Sequence, residues 1–535
     1  FFISVISNGQ SLTDELNTIL EKAYPADQPG ATVLIAKNGE VLYRNAFGMA
    51  NLELNVPMKP ENVFEIGSIT KQFTVVAILM LQEQGKLEVT DALTKYIPDY
   101  PTQGETITIH HLLNHTSGIK SYTSMPSFRS QARTDMTPTE LIDVFKNEPM
   151  DFKPGEQYAY NNSAYIILGH IIELVSGKSY AAFIEENIFK PLGMNNSYYG
   201  DKSKIIEHRA SGYQPGDAGY RNADYLSMTL PYAGGSLMSC VDDMLLWSQA
   251  VHNNTLISEE SKQLAFTEGK LQDNSRIYYG YGWSIDTIGE YATIEHGGGI
   301  FGYTTYGIYV PSTNVYTIVL TNSNGANPRD VTVKIAAKAL GVPYVTTAKN
   351  TAVAAHEMEK WVGTYEFEDG AIRTISLVDG LLYSQREGSE TLPLIPIANN
   401  EYGFDDSLTK YVFEMEEGKR VANFSARIRK SKGVETTKIP QAEKKSISVD
   451  TNILEAYVGT YELQPGFDIV ITVTNGTIYA QATGQSQFQI FPESETRFFL
   501  KVVPAEIEFS VDEAGNVSHL TLFQGGNEMK GNKKG

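Results

Sequence analysis

Cysteine is nearly missing from this chain: Cys240 is the only one in 535 residues. A single thiol forms no internal disulfide and builds no cysteine-rich metal site. Positive charge is also scarce. Lys and Arg number 43 against 63 Asp and Glu, a net charge of −20. Such a surface repels nucleic acid and anionic membranes. No apolar run approaches the roughly 18 residues that a membrane span requires. Nine histidines are present, but none has a ligand spacing. His110 and His111 are adjacent and point to different faces of a helix or a strand. No metal and no cofactor are expected, and the partner expected is a small-molecule or peptide substrate.

The length exceeds the usual span of one domain, so two or three are expected. The opening Phe1-Phe2-Ile3-Ser4-Val5-Ile6-Ser7-Asn8-Gly9-Gln10 is apolar and then abruptly polar. It reads as the tail of a secretory signal peptide, which predicts an exported protein, periplasmic or extracellular. The alternative is a frayed terminus lying on the surface.

Ser68 and Lys71 open a helical pattern after Gly67, three residues apart and so on one face. Ile69, Phe73, Ala77, Met80 and Leu81 predict an amphipathic helix that stops at Gly85. A serine there meets unpaired N–H groups and the positive end of the helix dipole. A lysine one turn on takes its proton if the ammonium is desolvated. The spacing alone is weak. It recurs at Ser117/Lys120 and Ser407/Lys410, about the number that ordinary composition supplies. Only Ser68 opens a long helix, and even there an N-cap is the plain alternative.

A second constellation follows the Pro154-Gly155 turn. Tyr160 and Asn162 sit at the lip of a helix with Ala164, Ile167, Leu168, Ile171, Ile172 and Val175 on one face and Gly177 as its stop. A tyrosine relays a proton if a nearby cation lowers its pKa, and an asparagine offers donor and acceptor to a substrate amide. Tyr43/Asn45 and Tyr220/Asn222 share the spacing. The plain readings are an aromatic closing a helix entrance and an N-cap. The third constellation is His296-Gly297-Gly298-Gly299, after the strand-like run Tyr291 to Ile294. A glycine run lets backbone approach a ligand, and its N–H groups suit a developing oxyanion. A flexible turn with an exposed histidine is the alternative.

In that order, Ser68-Ile69-Thr70-Lys71, Tyr160-Asn161-Asn162 and His296-Gly297-Gly298 resemble the penicillin-recognising serine hydrolases. The likeness is to their class C β-lactamase-related branch of D-peptidases, carboxylesterases and β-lactamase-like proteins. His110 to Ile119, Ile188 to Met194 and Ala233 to Leu237 are similar to stretches of that branch. The resemblance covers about residues 12 to 345. It implies Ser68 as acylated nucleophile, Lys71 as general base and Tyr160 as second proton relay, with the base assignment open between Lys71 and Tyr160. It implies Asn162 as a contact to the substrate's acyl side chain, His296 and Gly298 as substrate-binding, and the N–H groups of Ser68 and Gly299 as the oxyanion hole. Many true β-lactamases have Lys-Thr-Gly where this chain has His296-Gly297-Gly298. A histidine near pKa 6.5 is mostly neutral at pH 7.5, so esters or peptides, including those of D-residues, are expected ahead of β-lactams. A β-lactamase and a non-catalytic penicillin-binding or peptidoglycan sensor are the other two readings.

The expected fold is a serine β-lactamase-like α/β (α+β) domain over residues 12–345, an antiparallel sheet flanked by helices with a helical insert. Hairpins are predicted around Asn38-Gly39 and around Pro311 to Asn314, and a helix from Val331 to Leu340 closes the domain. Beyond Gly341 short alternating strands take over. Trp361-Val362-Gly363-Thr364-Tyr365-Glu366 recurs as Tyr457-Val458-Gly459-Thr460-Tyr461-Glu462, 96 residues on, and Gly380, Tyr383 and Phe413 recur as Gly476, Tyr479 and Phe509. Two small all-β barrels follow, at 354–438 and 450–535, joined by a linker near Thr436 to Asn452. They resemble the lipocalin-like barrels appended to some members of that branch. A lid that limits substrate size and a mere spacer are both consistent with them.

Overall fold

Asn38 and Gly39 both take positive φ, 52° and 82°, as a two-residue turn matched to right-handed strand twist requires. They join β1 (Ala31–Lys37) to β2 (Glu40–Phe47). The computed structural model describes residues 2–216, 219–345, 351–438, 446–464, 467–474, 476–482, 487–500, 505–512, 515–524 and 527–534. One compact unit is built from residues up to Thr123 and from Phe128 to Pro343; a second is built from Ser124–Ser127 and from Tyr344 onward.

In the first unit, β3 (Ser284–Ile288), β4 (Tyr291–Ile300), β5 (Tyr303–Val310) and β6 (Val315–Thr321) follow a helical insert. The six strands form one antiparallel sheet in the order β3-β4-β5-β6-β1-β2. Val319 of β6 lies opposite Val33 of β1, so the early and late strands meet inside the sheet. The hairpin between β5 and β6 turns through Asn314 at φ 48°. All seven residues of β6 are buried, as a strand covered on both faces requires.

The unit's helices include α1 (Phe2–Ala23), α2 (Thr70–Glu83), α3 (Asn162–Ser176), α4 (Val241–His252) and α5 (Pro328–Leu340). Residue 1 of the apolar opening lies outside the described residues, and α1 begins at the next one. Both α4 and α5 pack on β6. α5 starts at a proline, capped by Asn327, and ends at Gly341 with φ 71°, the usual proline-in, glycine-out asymmetry. Cys240 caps the start of α4 from a buried position, and burial pushes its thiol up to about 12.

One sequence expectation needs correction here, and one alternative reading falls away. α2 is not amphipathic: Thr70 to Leu79 and Leu81 are all buried. α3 and the short helix Tyr232–Gly235 pack on it, and Phe73 stacks on Trp247 with centroids 3.8 Å apart. A helix enclosed on all sides belongs to the middle of a domain, and it takes its polar residues inside with it. The cap of α3 is Asn161, whose side chain accepts from the Ala164 N–H at 3.0 Å. Asn162 is the first helical residue, so its amide is free for other partners.

The second unit holds two closed eight-stranded barrels. The first runs from Gly363–Phe367 to Arg429–Glu435, the second from Gly459–Gln464 to Asn527–Lys533. Each follows a short helix, Ala355–Glu359 or Thr451–Ala456. The repeat extends to individual bonds. The Tyr365 hydroxyl donates to the Trp361 carbonyl at 2.7 Å, and the Tyr461 hydroxyl to the Tyr457 carbonyl at 2.8 Å. Trp361 stacks on Phe413 as Tyr457 stacks on Phe509. Residues 439–445 of the expected linker lie outside the described residues.

Candidate active site

Ser68 stands in the single 3-10 turn Gly67–Ile69 that runs directly into α2. Two glycines let this turn touch β4. Gly67 has φ 53°, and a Cβ on it would lie 2.8 Å from the Gly299 nitrogen. A Cβ on Gly298 would lie 2.0 Å from the Ile66 carbonyl oxygen, where the Thr305 hydroxyl also donates, at 3.0 Å. The glycine run is therefore not a turn after a strand, as its composition suggests. It is the second half of β4, paired with β5 through Ile300. β3 pairs with β4 only as far as Glu295. Among the described residues no strand covers the other edge of 296–300, and that bare edge runs alongside Ser68.

Lys71 is fully buried. Its ammonium nitrogen lies 3.1 Å from Ser68 Oγ, 2.9 Å from Asn162 Oδ1 and 2.8 Å from the Gly234 carbonyl oxygen. Desolvation lowers its pKa from 10.5 to about 7, since burial penalises the charged form. The lysine thus exchanges a proton near neutral pH within hydrogen-bond reach of the serine. The other two Ser-x-x-Lys pairs lack this. Lys120 is paired with Asp151 at 2.5 Å and Lys410 with Glu401 at 2.6 Å, each partly in solvent. The other Tyr-x-Asn pairs are equally spoken for: Tyr43 donates to Asn17, and Tyr220 and Asn222 lie exposed on a short strand.

Tyr160 covers the lysine, its ring centroid 5.0 Å from Nζ. The residue is 40% exposed, but burial of its hydroxyl end raises the pKa above the tyrosine range, and a hydrogen bond with Ser68 opposes that only in part. The lowering by a neighbouring cation that a relay tyrosine calls for does not appear; burial dominates and raises the pKa. The phenol stays protonated, which favours Lys71 over Tyr160 as the acceptor of the serine proton. Asn162 is bound at both ends, Oδ1 to Lys71 and Nδ2 to Thr123 Oγ1 at 3.0 Å. It orients the lysine before any substrate arrives.

His296 is neither exposed nor near its reference pKa. It is 5% exposed, and burial, with Lys71 nearby, lowers its pKa to about 3. Nδ1 faces the Gly297 carbonyl, which only accepts, so Nδ1 carries the proton and Nε2 accepts from the Tyr279 hydroxyl at 2.9 Å. Both ring nitrogens are engaged, so the neutral ring offers no cation and no free donor to a substrate. Gly298 holds the close backbone contact described above, and Gly299 has open space on its Cα.

Residues that sequence reasoning passed over complete the box. Tyr165 lies 5.2 Å under Lys71 Nζ and donates to the Leu113 carbonyl at 2.8 Å. His115, at φ 63°, packs against Tyr160 with centroids 4.3 Å apart and accepts from the Asn161 N–H at 3.1 Å. Its Nε2 is buried without a partner, and burial holds its pKa well below 6.5. Its positive φ and the four tyrosines around it, Tyr158, Tyr160, Tyr165 and Tyr279, were invisible as a set, because His115, the 158–165 segment and Tyr279 come from distant parts of the chain. Among the described residues no group of three or more His, Cys, Asp or Glu is close enough to hold a metal ion.

A serine on a turn before a buried helix, a desolvated lysine one turn on and a glycine-rich strand edge beside them define a serine hydrolase fold of the β-lactamase and penicillin-binding kind. The chain belongs to the β-lactamase family, whose pattern matches residues 19–341. Residues 443–533 match a domain of unknown function (DUF3471). Penicillin-binding protein 4* of Bacillus subtilis is 28% identical over 534 residues, 97% of this chain and 98% of its own length. The octameric penicillin-binding protein homologue of Pyrococcus abyssi is similar in structure, with 28% identity, a TM-score of 0.54, and 80% of this chain and 99% of that one covered. The D-amino acid amidase of Ochrobactrum anthropi SV3, at 22% identity and TM-score 0.55, covers 62% of this chain and 100% of its own and shares the fold.

Proposed function

We propose that this chain hydrolyses small peptides, D-residue peptides among them, or carboxylic esters through an acyl-enzyme on Ser68. The observation that carries the reading is Lys71, enclosed with a pKa near 7 and 3.1 Å from Ser68 Oγ. A buried amine without a chemical task would be a costly residue to enclose.

Neutral Lys71 takes the Ser68 proton as Oγ adds to the substrate carbonyl carbon. The developing oxyanion accepts from the N–H groups of Ser68 and Gly299. The Tyr160 hydroxyl gives its proton to the leaving group and regains one from the Lys71 ammonium. Water then attacks the ester by the reverse relay and releases the acid. Asn162 and Gly298 act by holding Lys71 and the strand edge in place, with the substrate's acyl group passing beside Asn162. The neutral His296 supplies no counter-charge for a β-lactam carboxylate, which supports esters and peptides ahead of β-lactams. An exported setting belongs to the same proposal and rests on the apolar opening Phe1 to Ile6.

The test is to treat the protein with a fluorophosphonate and with a penicillin, then map the adduct by mass spectrometry. The name of the Bacillus relative makes a penicillin a suitable trap. An adduct on Ser68 that vanishes in Ser68→Ala is expected. Turnover of nitrophenyl esters, D-aminoacyl anilides and a chromogenic cephalosporin then ranks the substrate classes. A labelled residue other than Ser68, or no turnover of any class, refutes the proposal.

A further inference from the structure

The two barrels share one frame but fill it differently. In the second, Ile469 lies opposite Tyr461, Ala480 opposite Ile471 and Ile507 opposite Leu522. These residues form part of an apolar core. At the same registers the first barrel has Arg373 opposite Tyr365, Ser384 opposite Ile375 and Tyr411 opposite Phe424. Residues opposite each other on paired strands share a face, and Tyr365 is fully buried, so Arg373 projects inward.

Inside, the Arg373 guanidinium lies against Phe424 and Phe367, 4.0 and 4.6 Å from the ring centroids. One of its nitrogens donates to the Tyr411 hydroxyl at 2.9 Å, which in turn lies 2.9 Å from Ser384 Oγ. Tyr411 is 0% and Ser384 5% exposed. Arg373 Nε is buried and has no partner. Among the described residues no carboxylate forms an ion pair with it; Asp369, at the same end, pairs with Arg386.

A guanidinium keeps its charge at any working pH and has five donors in a planar fork. Aromatic faces compensate part of its lost hydration, and the Tyr411 hydroxyl takes one donor, but the rest of that fork, Nε included, is left unfilled. The fold itself does not call for the charge, since the second barrel closes over isoleucine at the same place. The opposite end of the first barrel is plugged by Trp361, stacked on Phe413 and donating to the Asn399 carbonyl. Leu382 and Leu394, opposite each other on neighbouring strands, are fully buried in the same barrel's apolar core. Arg373 itself is only partly buried, so part of its side chain reaches solvent at this end.

We propose that this end of the first barrel binds the carboxylate of a small organic anion, with Arg373 as the fork and Tyr411 and Ser384 as neighbouring hydroxyls. A planar carboxylate fits the fork in two parallel bonds. One cation between aromatic walls suits a single negative charge attached to an apolar or aromatic body. The anion is either a free organic acid or the C-terminus of a short peptide. The site is independent of the hydrolase reading.

The experiment titrates 4-fluorobenzoate into the full chain and follows its fluorine resonance. Saturable binding is expected, with 4-fluorobenzamide inert. Arg373→Ile installs the residue of the second barrel. It should weaken benzoate binding by about tenfold or more, the scale of a lost charged hydrogen bond. Its melting temperature should be no lower than the parent's, because an apolar group replaces an unpaired charge. Competition by N-acetyl-dialanine, but not by its amide, identifies the peptide source; benzoate binding without that competition identifies the free acid. Should Arg373→Ile misfold, Tyr411→Phe and Ser384→Ala each remove one hydroxyl and should each weaken binding. Absence of benzoate binding, equal binding of the amide, or undiminished binding by a folded Arg373→Ile overturns the site.

Discussion

Lys71 concentrates both the chemistry and its cost. Its pKa falls from 10.5 unfolded to about 7 folded, so the folded state binds fewer protons between those values. Stability therefore rises with pH across that window, and the burial penalty is complete below about pH 7. Lys71→Met should lower acylation by about 10² or more. It should also stabilise the protein more at pH 6 than at pH 9, by a difference on the order of 3 kcal/mol. Urea unfolding at the two pH values reads the second effect, and a pH-independent difference would show that the lysine is not desolvated. In the parent protein, the proposed acylation should rise with pH through a midpoint near 7, read by stopped-flow with a nitrophenyl ester. Ser68 and Lys71 were legible in the sequence because their relation is local. The Gly234 carbonyl and the Asn162 amide reach Lys71 across 163 and 91 residues, and no local pattern encodes that meeting.

The union of the Ser68 turn with β4 depends on two positions without side chains. Gly298→Ala would place a methyl 2.0 Å from the Ile66 oxygen. Backbone must move, at a cost of about 1–3 kcal/mol for an overpacked site. The acylation rate should fall well beyond what the stability loss explains, because the displaced segment carries Ser68. Comparing the rate with the unfolding midpoint checks this; a stability loss with normal acylation would detach β4 from the oxyanion role. The hairpin at Asn38-Gly39 could be read directly, since two positive-φ residues announce their turn. The glycine run could not, because a glycine-rich segment extends as a strand only when a partner such as β5 holds it. The enclosure of α2 was hidden for a related reason. Amphipathic periodicity shows which face is most apolar, and says nothing about what covers the rest.

Two units with separate cores imply separable behaviour. Residues up to Pro343 should fold alone and keep turnover of a small nitrophenyl ester, measured together with thermal unfolding of the truncated chain. A folded truncation without that turnover would mean that the catalytic unit is incomplete by itself. A changed preference among peptide lengths would assign the barrels a steric role, and an unchanged one would leave them a spacer. The duplication was legible from matching residues 96 positions apart. The polar interior of the first barrel was not, because identity searches reward the positions that agree, and Arg373 stands at one that differs.

The solitary thiol has a practical corollary. Cys240 ends the strand Leu237–Ser239, which pairs with Phe64–Glu65 just before the Ser68 turn. Buried and held as the neutral thiol, it meets a thiol reagent only when that seam parts. The natural chain is therefore its own single-site reporter: the rate at which a disulfide dye colours it measures breathing of the active-site floor, with no engineered label.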